Sequence, residues 1–178
     1  MKSLALLLLS STAFAGAPVA KTTAHGPIPR DGTKPAPLVN LYNQWTDEWL
    51  AVDPKHPPDA ATLNHFLRDH YTSDSMTMEP KLLGFVLGAA AHFHSPTVTI
   101  VSGFRSPKYN LILRKKGHQV ARDSQHTHGN AIDFSLPGIS IPRLHKWALD
   151  QHAGGVGIYL ASGFVHMDTG PHRTWSGE

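Results

Sequence analysis

Two short segments combine histidine and aspartate in a way that could bind a metal ion. His126 lies in a polar loop, Asp133 follows seven residues later in a β-like stretch, and His166 lies in a second such stretch. If the two stretches are neighbouring strands, Asp133 and His166 can lie opposite each other. Two imidazoles and one carboxylate are usual protein ligands of a catalytic zinc ion, with the fourth position left for water. Zinc in such a site lowers the pKa of that water to about 7, which provides a nucleophile for hydrolysis.

Spacing alone does not establish this site. A histidine and an aspartate seven residues apart also occur by chance, and a histidine in a strand is often an ordinary hydrogen-bonded residue. The chain contains 13 histidines and no cysteine. The absence of cysteine argues against a closed structural zinc site, which usually includes thiolates. The residue types by themselves leave metal binding and plain structural roles both open.

The segments around these residues predict how they are positioned. In residues 131–136, small or polar side chains alternate with apolar ones, so Asp133 lies on the face opposite the apolar core face. His166 alternates with apolar neighbours over residues 164–168 in the same manner. Gly129 permits the tight turn that brings the histidine-bearing loop towards the first strand.

The rest of the chain predicts helices followed by strands. Apolar side chains recur at helical spacing after Asp59 and after Pro80, and Ser106 with Pro107 marks the start of a third helix. The β-branched run 97–101 predicts a strand. Further expected elements are a short strand or hairpin from Leu38, a helix stop at Gly117, a helix over residues 142–152, and two strands over residues 155–159 and 164–168. This order predicts an α+β domain in which a small, mostly antiparallel sheet carries the site and packs with helices from the N-terminal half.

The N-terminal segment is typical of an exported protein. Residues 1–15 combine a positive charge, the apolar run 4–9 and a small-x-small pattern ending at Ala15, which predicts a secretory signal peptide. The apolar run is too short to cross a membrane, and no other segment is long and apolar enough. Residues 16–37, rich in proline, glycine and alanine, predict an extended or disordered leader. Residues 38–178 remain as one folded domain.

The charge pattern argues against one class of partner. The formal net charge is +3, but the lysines and arginines are scattered along the chain. Without a basic helix or an alternation of aromatic and basic residues, binding to nucleic acid is not expected. A mildly basic protein suits an anionic polymer.

Several motifs, in order, resemble the D-Ala-D-Ala metallopeptidase group. This group belongs to a wider clan that also contains lysostaphin and the hedgehog zinc fold, and within it the resemblance is to the YcbK-like branch of periplasmic murein endopeptidases. The resemblance covers residues 38–178. It rests on residues 102–107 with Asn110, the pattern Ser124-x-His126-x-x-Gly129-x-Ala131-x-Asp133, residues 154–159, residues 163–171, and the following Arg173 and Trp175.

The resemblance implies roles for four residues in a zinc peptidase domain. It implies that His126, Asp133 and His166 bind one zinc ion per chain. It also implies that Arg105 lies beside the zinc and stabilises the negative charge that develops on the substrate. Ser124 is expected either to hydrogen-bond the substrate or to cap the loop. A relative of this group would act on peptidoglycan peptide, in the periplasm of a Gram-negative bacterium.

The general base is where this chain departs from the group. Some relatives place a histidine two residues before the last ligand and others a glutamate three residues before it. Those positions are Phe164 and Gly163 here. Asp168 lies on the same strand face as His166, so it could act as the base or instead orient a ligand imidazole. Other candidates for the base are His128, His152 and His172.

The predicted function is zinc-dependent murein endopeptidase activity, the hydrolysis of peptide cross-links in peptidoglycan. One alternative is a D,D-carboxypeptidase or dipeptidase acting on stem peptides. Such an enzyme needs a group that holds the terminal carboxylate, and the sequence identifies none. A second alternative is a non-catalytic zinc-bearing binding module, as among the hedgehog relatives. Arg105 argues against this module, because a binding site has no developing negative charge to stabilise.

Overall fold

The computed structural model describes residues 37–117 and 120–177. The predicted signal peptide and the predicted leader up to residue 36 lie outside the described residues. The strands are β1 Val39–Asn43, β2 Glu48–Val52, β3 Thr97–Ser102, β4 Ala131–Ser135, β5 Gly155–Tyr159, β6 Phe164–Asp168 and β7 Arg173–Gly177. The α-helices are α1 Ala60–Phe66, α2 Lys81–His92, α3 Pro107–Lys115 and α4 Ile141–Leu149, and a 3₁₀ helix spans Gln125–His128. No helix among the described residues is both long and apolar enough to cross a membrane.

The predicted starts of α1 and α3 and the predicted stop after α3 are confirmed, whereas the helix expected over residues 142–152 ends earlier, at Leu149. Asp59 accepts a hydrogen bond from the backbone N–H of Thr62 at 2.7 Å and caps α1. The Ser106 hydroxyl caps α3 in the same way, and Pro107 occupies the first turn. Gly117, with a φ of +84°, follows the end of α3. These boundaries follow from local chemistry, because a capping side chain needs only the first turn of its own helix.

The strands form one seven-stranded sheet in the order β2-β1-β3-β4-β6-β5-β7. The β1–β3 and β5–β7 pairs are parallel, and the other neighbouring pairs are antiparallel. The sheet is therefore mixed, and the expectation of a small, mostly antiparallel sheet is wrong. The reason is that some neighbours in space are not neighbours in the chain. Since β6 reverses the direction of β5, β7 returns parallel to β5 when it pairs on the other side of that strand.

β7 was not predicted as a strand. Its sequence, Arg-Thr-Trp-Ser-Gly, lacks the apolar alternation of a half-buried strand, and most of its side chains are exposed. It joins the sheet through backbone pairing with β5 over its whole length. Such an edge strand is specified by its neighbour more than by its own pattern.

The core lies between the sheet and helices α2 and α4. Ile132 and Phe134 of β4 and Val165 and Met167 of β6 are buried, and they point away from the polar face of the same strands. Helix α4 packs against β5, β6 and α2. The expectation that the helices come from the N-terminal half is therefore corrected, because α4 lies in the C-terminal half. Burial of this face leaves Asp133 and His166 on the other face.

Candidate metal centre

The 3₁₀ helix Gln125–His128 holds His126 beneath the end of β3. Gly129 follows it in the left-handed conformation, with a φ of +73°, and a side chain there would overlap the Thr77 carbonyl oxygen. The predicted tight turn at this glycine is confirmed. His126 Nδ1 lies 2.8 Å from the carbonyl oxygen of Gly103, which can only accept a hydrogen bond. Nδ1 therefore carries the proton, and Nε2 presents a lone pair.

His166 reaches the same place from β6. It is paired directly with Asp133 across the β4–β6 ladder, as expected for neighbouring strands. Its Nε2 lies 2.8 Å from Asp168 Oδ2, and its Nδ1 lies 2.8 Å from Asp133 Oδ1. Because the Asp168 carboxylate accepts the proton of Nε2, Nδ1 is the atom that can face a metal ion.

The ligand atoms of His126, Asp133 and His166 converge, all within 4.8 Å of one another, and the three residues are buried. His126 Nε2 lies 3.2 Å from His166 Nδ1 and 3.2 Å from Asp133 Oδ2. Ligand atoms about 2.0–2.2 Å from a tetrahedral zinc ion lie about 3.3 Å apart. The three residues therefore form a group that could hold a metal ion, and their donor atoms and spacing fit zinc.

Burial and neighbouring charges shift the pKa values of His126, Asp133 and His166 in different directions. Burial lowers the pKa of the His126 imidazole, so its Nε2 lone pair is available near pH 7. Burial disfavours the charge of Asp133, but the two histidines hold the pKa of its carboxyl well below the usual range. Burial also opposes protonation of His166, yet the carboxylates of Asp133 and Asp168 raise its pKa. A metal ion would therefore meet an ionised Asp133 and would displace a proton from His166.

Asp168 is fully buried, and both of its oxygens are occupied. Oδ1 accepts from the backbone N–H groups of Gly155 and Gly170 at 2.7 and 2.9 Å. Oδ2 accepts from His166 Nε2 and, at 2.7 Å, from Arg173 Nη2, which reaches it across Gly155. Burial would raise the pKa of this carboxyl, but His166 and the backbone donors lower it to about 2. These contacts leave neither oxygen of Asp168 without a hydrogen-bond donor.

Arg105 lies beside the group, on the loop after β3. Its Nη2 is 3.8 Å from Asp133 Oδ2 and 3.4 Å from Ser102 Oγ. Its backbone N–H donates to the carbonyl of His126, which ties the arginine loop to the ligand loop. Its Nε is buried and has no partner among the described residues. The guanidinium therefore retains hydrogen-bonding capacity next to the His126, Asp133 and His166 group.

A cavity of about 610 Å³ is lined by His126, Asp133 and His166. Arg105 and Ser124 line it on one side. Ser124 is at the start of the 3₁₀ helix, but its side chain makes no capping hydrogen bond. Tyr159, Phe164 and Trp175 form an aromatic wall of the cavity. The described residues that line the cavity do not include Asp168.

Because Gly157 has no side chain, the Trp175 ring of the aromatic wall can lie next to His166. Gly157 pairs with His166 on one side and with Trp175 on the other. A Cβ at this position would collide with the indole ring, which lies with its centroid 5.0 Å from that of His166. The indole N–H donates to the Tyr159 hydroxyl at 3.0 Å. The last strand of the described sheet thus covers the outer side of a ligand ring.

The structure does not bring the other candidate histidines into the group. His128 is exposed, and its Nε2 lies 2.7 Å from Oδ1 of Asp123; His128 is not among the described residues that line the cavity. His152 and His172 line a separate cavity of about 290 Å³. Tyr159 lines the cavity, and the sequence analysis assigned it no role of its own. The alternation of Gly157 and Tyr159 on one face of a strand was the signal that could have identified it.

Known proteins resemble this chain over most of its described length. The family described as "Peptidoglycan L,D-endopeptidase MepK" matches residues 37–175. A protein of that name from Escherichia coli K12 is 41% identical over 119 residues, which are 66% of this chain and 65% of the relative. A Haemophilus influenzae protein, named probable peptidoglycan L,D-endopeptidase MepK, is 33% identical over 141 residues, which are 78% of this chain and 76% of the relative. The chain thus spans slightly less than two thirds of the Escherichia coli relative. No solved structure matches it.

Proposed function

Because this chain belongs to the peptidase family described as peptidoglycan L,D-endopeptidase MepK, we propose that it is a zinc-dependent endopeptidase that hydrolyses peptide cross-links in peptidoglycan. The observation that carries the proposal is the convergence of His126 Nε2, His166 Nδ1 and the Asp133 carboxylate at the floor of an open cavity. Zinc held by three protein ligands supplies an acidified water and a Lewis acid for amide hydrolysis.

The neighbouring residues have distinct roles in this proposal. Arg105 stabilises the charge that develops on the scissile carbonyl oxygen, supported by its position next to Asp133 and its unpartnered Nε. Ser124 hydrogen-bonds the substrate, supported by its place in the cavity wall and by the absence of a capping bond from its side chain. Both residues sit on loops tied to the ligand histidine.

Of the two roles open to Asp168, we propose the orienting one. A general base needs a free oxygen facing the reacting water. The oxygens of Asp168 are occupied by two backbone amides, His166 and Arg173, and the residue is fully buried. In this role Asp168 fixes the tautomer and the orientation of the ligand imidazole.

The charges in the cavity support an endopeptidase over a carboxypeptidase. A carboxypeptidase must hold a terminal carboxylate, usually with a free cation. Among the described residues that line the cavity, the cations outside the ligand group are Arg105 and Arg173. Arg173 pairs with Asp168, and in this proposal Arg105 is already assigned to the scissile carbonyl oxygen. Neither is a free anchor for a chain terminus.

The proposed location is the periplasm of a Gram-negative bacterium. It is supported by the signal-like composition of residues 1–15, by the resemblance to periplasmic endopeptidases, and by the cell-wall polymer in the relatives' name. The proposed substrate, peptidoglycan peptide, rests on the same relatives.

The test is digestion of purified muropeptide dimers by zinc-loaded protein. Dimers with an L,D cross-link and dimers with a D,D cross-link are compared with uncross-linked stem peptides and casein. We expect L,D-linked dimers to become monomers, cleavage to stop on addition of chelator, and casein to stay intact. Release of only terminal D-Ala from stem peptides would instead indicate a carboxypeptidase. No cleavage of any substrate would indicate a binding module.

A further inference from the structure

Tyr159 is held in the cavity wall without a role in metal binding. We propose that its hydroxyl is a catalytic hydrogen-bond donor to the carbonyl oxygen of the scissile peptide bond, and that Trp175 is the residue that positions it. The inference rests on the proposed function and assigns a second donor to the reaction, alongside Arg105. Three observations support the role of Tyr159: the register of β5, the contacts of the phenol ring, and the hydrogen bonds of its hydroxyl.

The register places the phenol close to the ligands. Tyr159 follows Gly157 by two residues on β5, so both lie on the strand face that Asp133 and His166 share across the sheet. Trp175 fills the space above Gly157 and contacts the His166 ring with one side. Its indole N–H lies 3.0 Å from the Tyr159 oxygen. One indole ring therefore separates the phenol oxygen from a ligand histidine.

The phenol ring has little freedom to move. Phe164 stacks on it, with a centroid distance of 4.4 Å and an interplanar angle of 19°. On its other side, Gly177 of β7 is directly paired with Tyr159, and a side chain at that glycine would overlap the ring. A donor fixed in this way does not need to reorganise during the reaction. Preorganised donors of this kind give the largest stabilisation of the transition state.

The hydrogen bonds of the phenol leave its proton for another acceptor. An indole N–H can only donate, so the Tyr159 oxygen must be the acceptor in its bond with Trp175. The O–H of Tyr159 donates to no acceptor among the described residues. Because Tyr159 lines the cavity, that proton is available to a substrate bound over the ligands.

The phenol is also in the right protonation state. Burial raises its pKa, and the negative charge of Asp133 acts in the same direction, against the opposing effects of Trp175 and Arg105. Tyr159 is thus a neutral O–H donor near pH 7. Arg105 and Tyr159 both line the cavity, Arg105 next to Asp133 and Tyr159 at the end of β5. A carbonyl oxygen between them would receive one charged and one neutral donor.

The closing experiment uses Tyr159→Phe, which keeps the aromatic ring and its stacking but removes the hydroxyl. With L,D-linked dimers we expect kcat to fall about 100-fold while KM stays within about twofold, as for loss of one transition-state donor. Zinc content and melting temperature should match those of the wild type. The matched control is Tyr71→Phe, since Tyr71 is exposed and lies outside the cavity lining. Its kcat should be unchanged.

A second readout does not depend on cleavage. The chain has four tryptophans, and Trp175→Phe identifies the indole N–H resonance of Trp175 in a proton–nitrogen NMR spectrum. In Tyr159→Phe that resonance should shift upfield, because its acceptor is lost. Trp175→Phe should lower kcat while Tyr159 is still present.

Three outcomes would overturn the inference: an unshifted indole resonance, a kcat of Tyr159→Phe within threefold of wild type, or a loss expressed in KM alone. Each of these leaves the proposed function standing when the wild-type protein cleaves the dimers. Failure of the wild-type, zinc-loaded protein to cleave any substrate would contradict the proposed function instead.

Discussion

Asp168 accepts the proton of His166 Nε2 at 2.8 Å, and this one contact decides which nitrogen of the ligand histidine faces Asp133. A histidine with its outer nitrogen protonated by a fixed partner is a single tautomer in a single orientation. His126 is held in the same way by the Gly103 carbonyl oxygen. The two imidazoles therefore present their free nitrogens to the same point before any metal binds.

Loss of a ligand imidazole should remove the metal. We expect His126→Ala and His166→Ala to bind less than one tenth as much zinc as wild type after dialysis, and to lose cleavage activity. Circular dichroism should show that most of the fold is retained. The matched control is His128→Ala, since His128 is an exposed histidine on the same 3₁₀ helix as His126. Full zinc occupancy in either ligand variant would refute the assignment.

Arg105→Ala should keep zinc and lose rate. Removal of one group that stabilises the developing oxyanion typically lowers kcat by about 10²–10³-fold. Arg105→Lys should recover part of this rate, because it restores the charge but not the planar donor geometry. Steady-state kinetics with metal analysis of each variant provides the measurement. A kcat for Arg105→Ala within threefold of wild type would mean that the arginine is structural.

Asp168→Asn should weaken zinc binding rather than abolish chemistry. Loss of a carboxylate that orients a ligand histidine typically costs about 10–100-fold in metal affinity. We expect that loss in a competition titration with a chromophoric chelator, with most of kcat recovered at saturating zinc. Asp150→Asn, an exposed aspartate at the end of α4, is the control. Normal zinc affinity with collapsed activity would instead identify Asp168 as the general base.

Gly157→Ala should disturb the aromatic wall. Its Cβ would collide with the indole of Trp175, which cannot move without leaving His166. Overpacking of this kind costs about 1–3 kcal/mol of the free energy of unfolding. Gly84→Ala is the control, because Gly84 is exposed in α2 and its added Cβ would meet no neighbour within 4 Å. That variant should be stabilised by about 1 kcal/mol, and urea titrations of both variants supply the comparison.

The parts of the site that the sequence predicted are those governed by local geometry. The alternation around Asp133 showed which strand face it occupies, and Gly129 identified the turn that the histidine loop needs. Helix starts at Asp59 and Ser106 were predictable because a cap depends on one turn of chain.

What could not be predicted depends on which strands become neighbours. Nothing in the sequence of residues 173–177 indicates that they pair with β5. Without this pairing, the contact of Arg173 with Asp168 could not be predicted. Because β7 was not predicted as a strand, the hydrogen bond between Trp175 and Tyr159 could not be predicted either. The direction of β3 relative to β1 likewise depends on the crossover through two helices, which the strand's own residues do not specify.

Because β7 is an edge strand, it should unfold more easily than the central strands β4 and β6. Asp133 and His166 lie on β4 and β6, which have a partner strand on each side, whereas Trp175 and Arg173 lie on a strand paired only with β5. Edge strands fray at lower free energies than the strands they cover. Mild denaturant should therefore open β7 while the ladder between β4 and β6 stays closed. If the proposed function is correct, a molecule in that state would retain its metal-binding group but lose activity, and re-pairing of one strand would restore it.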